Sequence, residues 1–337
     1  MEPKVSIIIL NWNGWEDTVE CLESLFQINY TNYNVVLVDN HSDDNSIEKI
    51  KEYSKGKIQV RSEFFDYNLD NKPLTIVNAL ESPSLTDKNS IILIENPENY
   101  GFAGGNNVGI EYAMKSLNPD YILLLNNDTV VDKYFLNELI KVGESSQNIG
   151  FIGPKTLFYY EEDVIQEAGG GDVDFKRCEV DEIGFKDVDD GTLDFYIEPD
   201  YIGGACLLVK QEVVDKIGPL DSNYFMYWED VDWCITGREN GYKCAYAYKS
   251  KIWHKYGSSS ENYFKMYYLN RNRLYFMRKH TTRAEYMRFL SYFIPFILFE
   301  SIYQLLRKRD VQMSRSFFMG MINGFRMTPP SRKKSEP

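Results

Sequence analysis

Acidic side chains in two short segments are the first candidates for chemistry. NYFMYWEDVDWCITGRENGY crowds Glu229, Asp230 and Asp232 into what reads as the first turn of a helix, among Tyr227, Trp228 and Trp233. A carboxylate among aromatic walls suits proton removal from a sugar hydroxyl, typically worth about 10²–10⁴ in rate. The plainer reading is an acidic first turn, favoured by the helix dipole by roughly 0.3–1 kcal/mol. The second segment, YILLLNNDTVVD, runs an apolar strand into Asn126, Asn127 and Asp128. A hard divalent cation takes carboxylate oxygens and is often completed by substrate phosphates, which makes Asp128 a candidate ligand. His254, in KIWHKYGSS, follows soon after the acidic helix and is a second candidate.

Residues so far apart need a scaffold that ends many strands at one edge. Val5–Leu10, Val35–Val38, Ile91–Ile94 and Tyr121–Leu125 are short, continuously apolar and bounded by Asn, Asp or Gly, which suits strands covered on both faces. Between them Trp15–Gln27, Ser46–Lys55, Gly105–Ser116 and Lys133–Glu144 carry helical patterns. The alternation predicts βαβ units and an α/β fold, whose ligands bind where strands end. Those ends carry Asn11 to Gly14, Asp39 to Asp44, the stretch NPENYGFAGGNNVG, and Asn126 to Asp128. Singly, each is an ordinary cap or turn; together they describe a polar crevice. Residues 62–89 interrupt the rhythm as an insertion. Strands are expected near Ile149–Ile152 and Ile202–Val209, hairpins over Gly169–Gly191, a short helix over 229–240 and a strand over Tyr242–Tyr248.

Composition narrows the options. The 337 residues are 43% hydrophobic and carry a formal net charge of -13, which argues against nucleic acid as a partner. The charge is uneven: from Ser250 onward there are 17 Lys and Arg against 5 Asp and Glu, and before it 20 against 45. The glycines at 101, 104, 105 and 109 do not form GxGxxG, and no GxxxxGK[ST] occurs, which weighs against nicotinamide and P-loop enzymes. Five scattered cysteines without a CxxC pair suit buried thiols in a reducing compartment. With no apolar signal segment expected at the N-terminus, a cytoplasmic place is expected.

The ordered set VSIIILNWNG, VVLVDNHSDD, ENYGFAGGNNVG, YILLLNNDTVVD, YIGGACLLVK and YFMYWEDVDWC resembles glycosyltransferase family 2 from Val5 to about Arg278. The NYGFAGGNN and NND forms look most like its rhamnosyltransferase-type branch of polysaccharide biosynthesis. The resemblance implies a GT-A nucleotide-diphospho-sugar transferase fold, a Rossmann-like mixed sheet flanked by helices, with a helical C-terminal extension. It implies inverting transfer from a nucleoside-diphosphate sugar to a hydroxyl of a glycan or lipid-linked acceptor. Asp230 then corresponds to the base, beside Glu229. Asn11, Asn13, Asp39, Asn40, Gly101, Phe102, Gly104, Asn106 and Asn127 would bind the nucleotide sugar. Gly203, Gly204, Tyr227 and Trp228 would face the acceptor. Asp128 matches the last acid of the DxD motif and His254 a histidine that holds metal or diphosphate, so Mg2+ or Mn2+ is the expected cofactor. Asn126 replaces the first DxD acid, which leaves a weaker site that the nucleotide completes. A nucleotidyltransferase and a catalytically inactive sugar-nucleotide-binding protein are the alternatives.

Domain expectations follow: residues 1–257 as the catalytic domain, with a nucleotide half over 1–128 and an acceptor half over 129–257, then a basic aromatic helical extension over 258–327 and a disordered tail over 328–337. Phe289–Leu306 is apolar but contains Pro295 and Glu300 and is followed by Arg307, Lys308 and Arg309. A central acid costs about 2.5–3.5 kcal/mol on insertion scales, so an in-plane helix is preferred over a span. Membrane-surface contact through 283–327, at the inner face of the cell membrane, stands beside packing on the catalytic domain or in a homodimer interface.

Overall fold

The computed structural model describes residues 2–79, 89–257 and 262–329. The tail from residue 330 and residues 80–88 of the insertion lie outside the described residues. Four apolar strands make the centre: β1 (Val5–Asn11), β2 (Tyr33–Asp39), β4 (Ser90–Glu95) and β5 (Tyr121–Asn126). They alternate with α1 (Trp15–Leu25), α2 (Ser46–Ser54) and α3 (Gly101–Tyr112), and β3 (Thr75–Asn78) adds a parallel edge strand to β4. The insertion therefore contains that edge strand. It is anchored upstream by the buried Lys72 ammonium on Glu23 at 2.8 Å.

The second half adds β6 (Thr129–Val131), α4 (Phe135–Gly143), β7 (Ile149–Phe158), β8 (Glu161–Ala168), β9 (Gly170–Asp174), β10 (Glu179–Glu182), β11 (Tyr201–Ile202), β12 (Cys206–Lys210), α5 (Gln211–Ile217), α6 (Glu229–Glu239) and β13 (Lys243–His254). Helices α7 (Asn262–His280), α8 (Arg283–Tyr303) and α9 (Val311–Arg326) close the chain. The large sheet runs β3-β4-β2-β1-β5-β12-β7-β13-β6, with β8 beside β7. A small sheet, β10-β9-β11, stands apart from it.

Register brings the polar residues to one edge. Asn11 is opposite Asp39, and Leu10 is opposite both Val38 and Asn126. β12 is antiparallel to β5, and the end of β13 pairs with β6 so that His254 faces Thr129. Successive side chains of β1 go to opposite faces, as strand geometry requires. Ile7 and Ile9 belong to the apolar cluster that includes α1, α2 and α4, whereas Ile8 belongs to the one that includes α3, α6 and the C-terminal helices. Leu274, Tyr275, Phe276 and Met277 of α7 are buried in the same apolar cluster as Trp233 of α6. The helical region expected from residue 258 thus begins with a helix that shares the core of the preceding sheet.

Three local expectations change. The glycine-rich turn is already helix: α3 starts at Gly101, not Gly105, because Asn99 Oδ1 accepts the Gly101 N–H at 2.8 Å and Asn40 Oδ1 accepts the Tyr100 N–H at 3.1 Å. The strand over Ile202–Val209 is broken at Gly203–Gly204, since Tyr201–Ile202 pairs in the small sheet and Cys206–Lys210 in the large one. β13 runs on to His254 through an irregularity between Ala247 and Lys251, so the histidine ends a strand instead of following one. All five cysteines are free and buried.

Candidate active site

The crevice above the strand ends is a cavity of about 840 Å³, lined by Trp12, Asn13, Phe102, Asn127, Asp128 and Phe225 among others. That is within the roughly 300–1,000 Å³ of small-molecule sites. Its floor is cross-linked. Asp39 Oδ1 accepts the Asn11 amide N–H and the Ser42 hydroxyl, both at 2.7 Å, and Oδ2 accepts the Ser42 N–H at 3.0 Å. Asn11 Oδ1 accepts the Thr18 hydroxyl at 2.8 Å. Asn11 and Asp39 are buried beneath the cavity, where they hold the loops of Asn13 and Ser42. Asn13, at φ 52, exchanges bonds with Asp43 and lines the cavity itself.

Asn40 also lines the cavity, but its amide is already spent. It donates to Asn99 Oδ1 and the Gly101 carbonyl and accepts from Asn96 and Tyr100, which clamps α3 to β2. The expected nucleotide-binding run of α3 divides. Gly101, at φ 72, and Phe102 line the cavity. Asn106 is buried and donates back to the Phe102 carbonyl, and Gly104 faces a separate groove with Asn107 and Glu111. The glycines mostly serve packing: a Cβ at Gly105 would come within 2.6 Å of Leu10, and one at Gly109 within 2.5 Å of Ile8. Asn127 lines the cavity and donates to the Thr18 hydroxyl at 3.0 Å.

Asp128 and His254 are brought together as expected, with Nε2 and Oδ1 3.2 Å apart. His254 Nδ1 sits 2.9 Å from Gln166 Oε1. With that oxygen as acceptor Nδ1 carries a proton, and the neutral imidazole would then turn its Nε2 lone pair towards Asp128. Asp128 Oδ1 is buried and has no hydrogen-bond donor. Two facing acceptors suit a divalent cation. No group of three or more metal-ligating acids, histidines or cysteines occurs among the described residues. One carboxylate and one imidazole fit a cation whose other ligands are phosphate and water oxygens.

The acidic helix resolves into three different environments. Asp230 is half-buried; its Oδ2 accepts the Gly204 N–H at 2.9 Å and its Oδ1 the Val231 N–H at 2.8 Å. Burial raises its carboxyl above the ordinary range, against those two N–H groups, and Glu182 adds repulsion. Glu229 is buried, one oxygen lacks a donor, and burial followed by the Asp230 charge pushes it well up. Asp232 is fully engaged by the Tyr224 hydroxyl, Lys279 and His280, at 2.8, 2.7 and 2.7 Å.

The loop leading into α6 is strained. Phe225, Tyr227 and Trp228 sit at φ 63, 68 and 77, in the left-handed region that costs L-residues of order 1–3 kcal/mol each. Helix α7 holds it there. Asn272 Nδ2 donates to the carbonyls of Tyr224, Met226 and Tyr227 at 3.0, 2.8 and 2.7 Å, and Arg271 donates to those of Asn223 and Tyr224. Trp228 turns inward, its ring 4.8 Å from that of Phe276, so it is core and not a pocket wall. Tyr227 is half-buried, with the Lys265 ammonium 5.7 Å from its ring.

The glycine pair, expected to face the acceptor, packs against two carboxylates. A Cβ at Gly203 would collide with the Glu167 carboxylate, and one at Gly204 would lie 3.2 Å from Asp230 Oδ2. Glycine there admits two acids. Glu167 is pushed up to about 7, first by burial and then by the Asp230 charge, with His254 acting in the opposite sense. Sequence reasoning missed Gln166, Glu167, Arg271 and Asn272. The first two carry no motif. The last two had a signal: an Asn-rich run, NRNR, inside an aromatic helix, where a buried amide needs partners.

Comparisons with known proteins give the family and the fold. A family model described as "Glycosyl transferase family 2" matches residues 6–72, and one described as "Glycosyltransferase like family 2" matches residues 81–276, ending inside α7. A relative from Haloferax volcanii, the low-salt glycan biosynthesis hexosyltransferase Agl10, is 30% identical over 145 residues, 43% of this chain and 45% of that protein. The chain thus aligns with less than half the length of that relative. Among solved structures, the mannosyltransferase PcManGT from Pyrobaculum calidifontis, in complex with GDP-Man and Mn2+, superposes at TM-score 0.55 with 10% identity, covering 96% of this chain and 88% of that one. GalNAc-T7 with UDP, GalNAc and Mn2+ superposes at TM-score 0.55 with 16% identity, covering 87% and 57%. The fold is that of the GT-A glycosyltransferases.

Proposed function

Because the chain belongs to glycosyltransferase family 2, we propose that it transfers a sugar from a nucleoside-diphosphate donor to an acceptor hydroxyl, in one displacement that inverts the anomeric carbon. One observation carries the reading. The Asp128–His254 pair and Asp230 share a single edge, joined through backbone: the Gly204 N–H binds Asp230, and the Ala205 carbonyl accepts the Asn126 N–H at 2.9 Å.

Trp12 and Phe102 offer the donor apolar faces, and Asn13 and Asn127 offer it amides. Asp230 takes the proton of the acceptor hydroxyl as its oxygen bonds to the anomeric carbon and the bond to the diphosphate breaks. The Gly204 and Val231 N–H groups fix the orientation of that carboxylate, and its raised proton affinity makes it the stronger base. Asp128 and His254 would hold a divalent cation, which supplies Lewis-acid stabilisation of the departing diphosphate. The acceptor of this reading is a glycan or a lipid-linked sugar.

GDP- and UDP-hexoses, the donors suggested by the relatives, come first in a screen of thermal stabilisation with manganese. With the donor so found, Asp230→Asn is expected to lower transfer at least a hundredfold while the donor-induced rise in melting temperature persists. Undiminished transfer by that variant would overturn the assignment of the base.

A further inference from the structure

Helix α8 and the wide turn after it leave an apolar face uncovered at the far end of the C-terminal hairpin. Residues Arg283–Lys308 form one helix long and apolar enough, by composition, to cross a membrane. Its packing in the fold favours a different use. Phe289, Phe293, Ile297 and Ser301, each four residues apart, form a stripe buried against the protein. The Ser301 hydroxyl is also tied to Ser314 of α9 at 3.0 Å. A helix with one side committed to its own domain cannot give every side to lipid. The opposite side carries Leu298, Phe299, Ile302, Leu305 and Leu306, all exposed, with Phe299 at 64% and Leu306 at 69%. Their spacings of three and four residues put them on one face. Val311, 65% exposed, follows at the start of α9.

Charge decides what covers this face. Arg307, Lys308, Arg309 and Arg315 are exposed at its rim. Two acids lie nearby, the half-buried Glu300 and Asp310, whose Oδ1 also caps α9 by accepting the Met313 N–H, so the four cations keep an excess of two charges. In a twofold dimer the same patch would meet itself and set these four cations against four more. A bilayer carrying anionic headgroups matches both the cations and the apolar stripe, and repels the acidic remainder of a chain whose net charge is -13. We propose that the face formed by Leu298, Phe299, Ile302, Leu305 and Leu306, with its basic rim, docks α8 in the plane of an anionic lipid surface. This does not depend on the transfer reaction.

The full chain is mixed with sedimentable vesicles of phosphatidylcholine alone and of phosphatidylcholine with about one third phosphatidylglycerol. It is expected to sediment with the anionic vesicles, less so as salt rises, and to stay in solution with the neutral ones. Phe299→Glu with Leu306→Glu is expected to weaken binding at least tenfold, and Arg307→Glu with Lys308→Glu likewise. Unchanged melting temperatures show that these exposed substitutions leave the fold intact. Absence of sedimentation with anionic vesicles, or undiminished binding by both variants, would refute the proposal. So would a dimer, seen by light scattering, that the same substitutions dissolve.

Discussion

Glu167 holds its proton at a pH where an exposed glutamate would have lost it. Its ordinary value is 4.5 and its value in the fold is about 7, because the carboxyl is buried beside Asp230. Between those values the folded chain keeps a proton that the unfolded chain releases, so this group makes stability fall as pH rises through the interval. Glu167→Gln removes the titration but keeps the shape. In thermal melts in metal-free buffer, the variant is expected to lose that slope and to be more stable at pH 8 by roughly 1–3 kcal/mol. An unchanged slope would show that another group carries it. Asp232 behaves differently: Lys279, His280 and the Tyr224 hydroxyl already satisfy it. Glu229, Asp230 and Asp232, which look alike in the sequence, likewise differ in environment, because each meets different partners.

At the scale of elements, α7 is the clamp on the strained loop before α6. One amide, Asn272 Nδ2, serves three carbonyls of that loop. Asn272→Ala is expected to cost about 1–3 kcal/mol in stability, since buried carbonyls lose their donor. It should also lower transfer at least tenfold, because small misplacements of a reacting group are costly. The donor-induced thermal shift should stay close to that of the parent, since Asn272 does not line the cavity. Loss of donor binding instead would move α7 from positioning the base to forming the pocket. α3 teaches the complementary point. Its glycines read as a ligand turn along the chain, yet Gly105 and Gly109 are there because β1 side chains press on them.

For the whole molecule, a polyanionic donor must enter a protein of net charge -13. Like charges repel, and the cavity places Asp17 and Asp128 beside the donor space. A divalent cation held by Asp128 and His254, as proposed, would reverse the local sign. Chelation is therefore expected to abolish the donor-induced rise in melting temperature, and Asp128→Asn to reduce it strongly at saturating manganese. Donor stabilisation that survives a chelator would take Asp128 out of that role. The basic segment from Ser250 is likewise not one surface: Arg271 and Lys279 turn inward to loops and acids, while Arg307 to Arg309 face solvent.

The alternation of apolar strands and helices determined the α/β fold from sequence alone, because strands covered on both faces must be continuously apolar. The ordered motifs likewise determined the family, the Asp128–His254 pair and Asp230 as candidates, because their types and order survive without coordinates. Tertiary structure decided what distance along the chain conceals. It showed that Asn11 and Asp39 lie under the cavity, that Trp228 faces the core, and that Gly203 and Gly204 make room for Glu167 and Asp230. It also brought Gln166 to His254 across 88 residues and Asn272 to Tyr227 across 45. A residue's type states which bonds it is able to make; only the packed chain states which partners are close enough to make them.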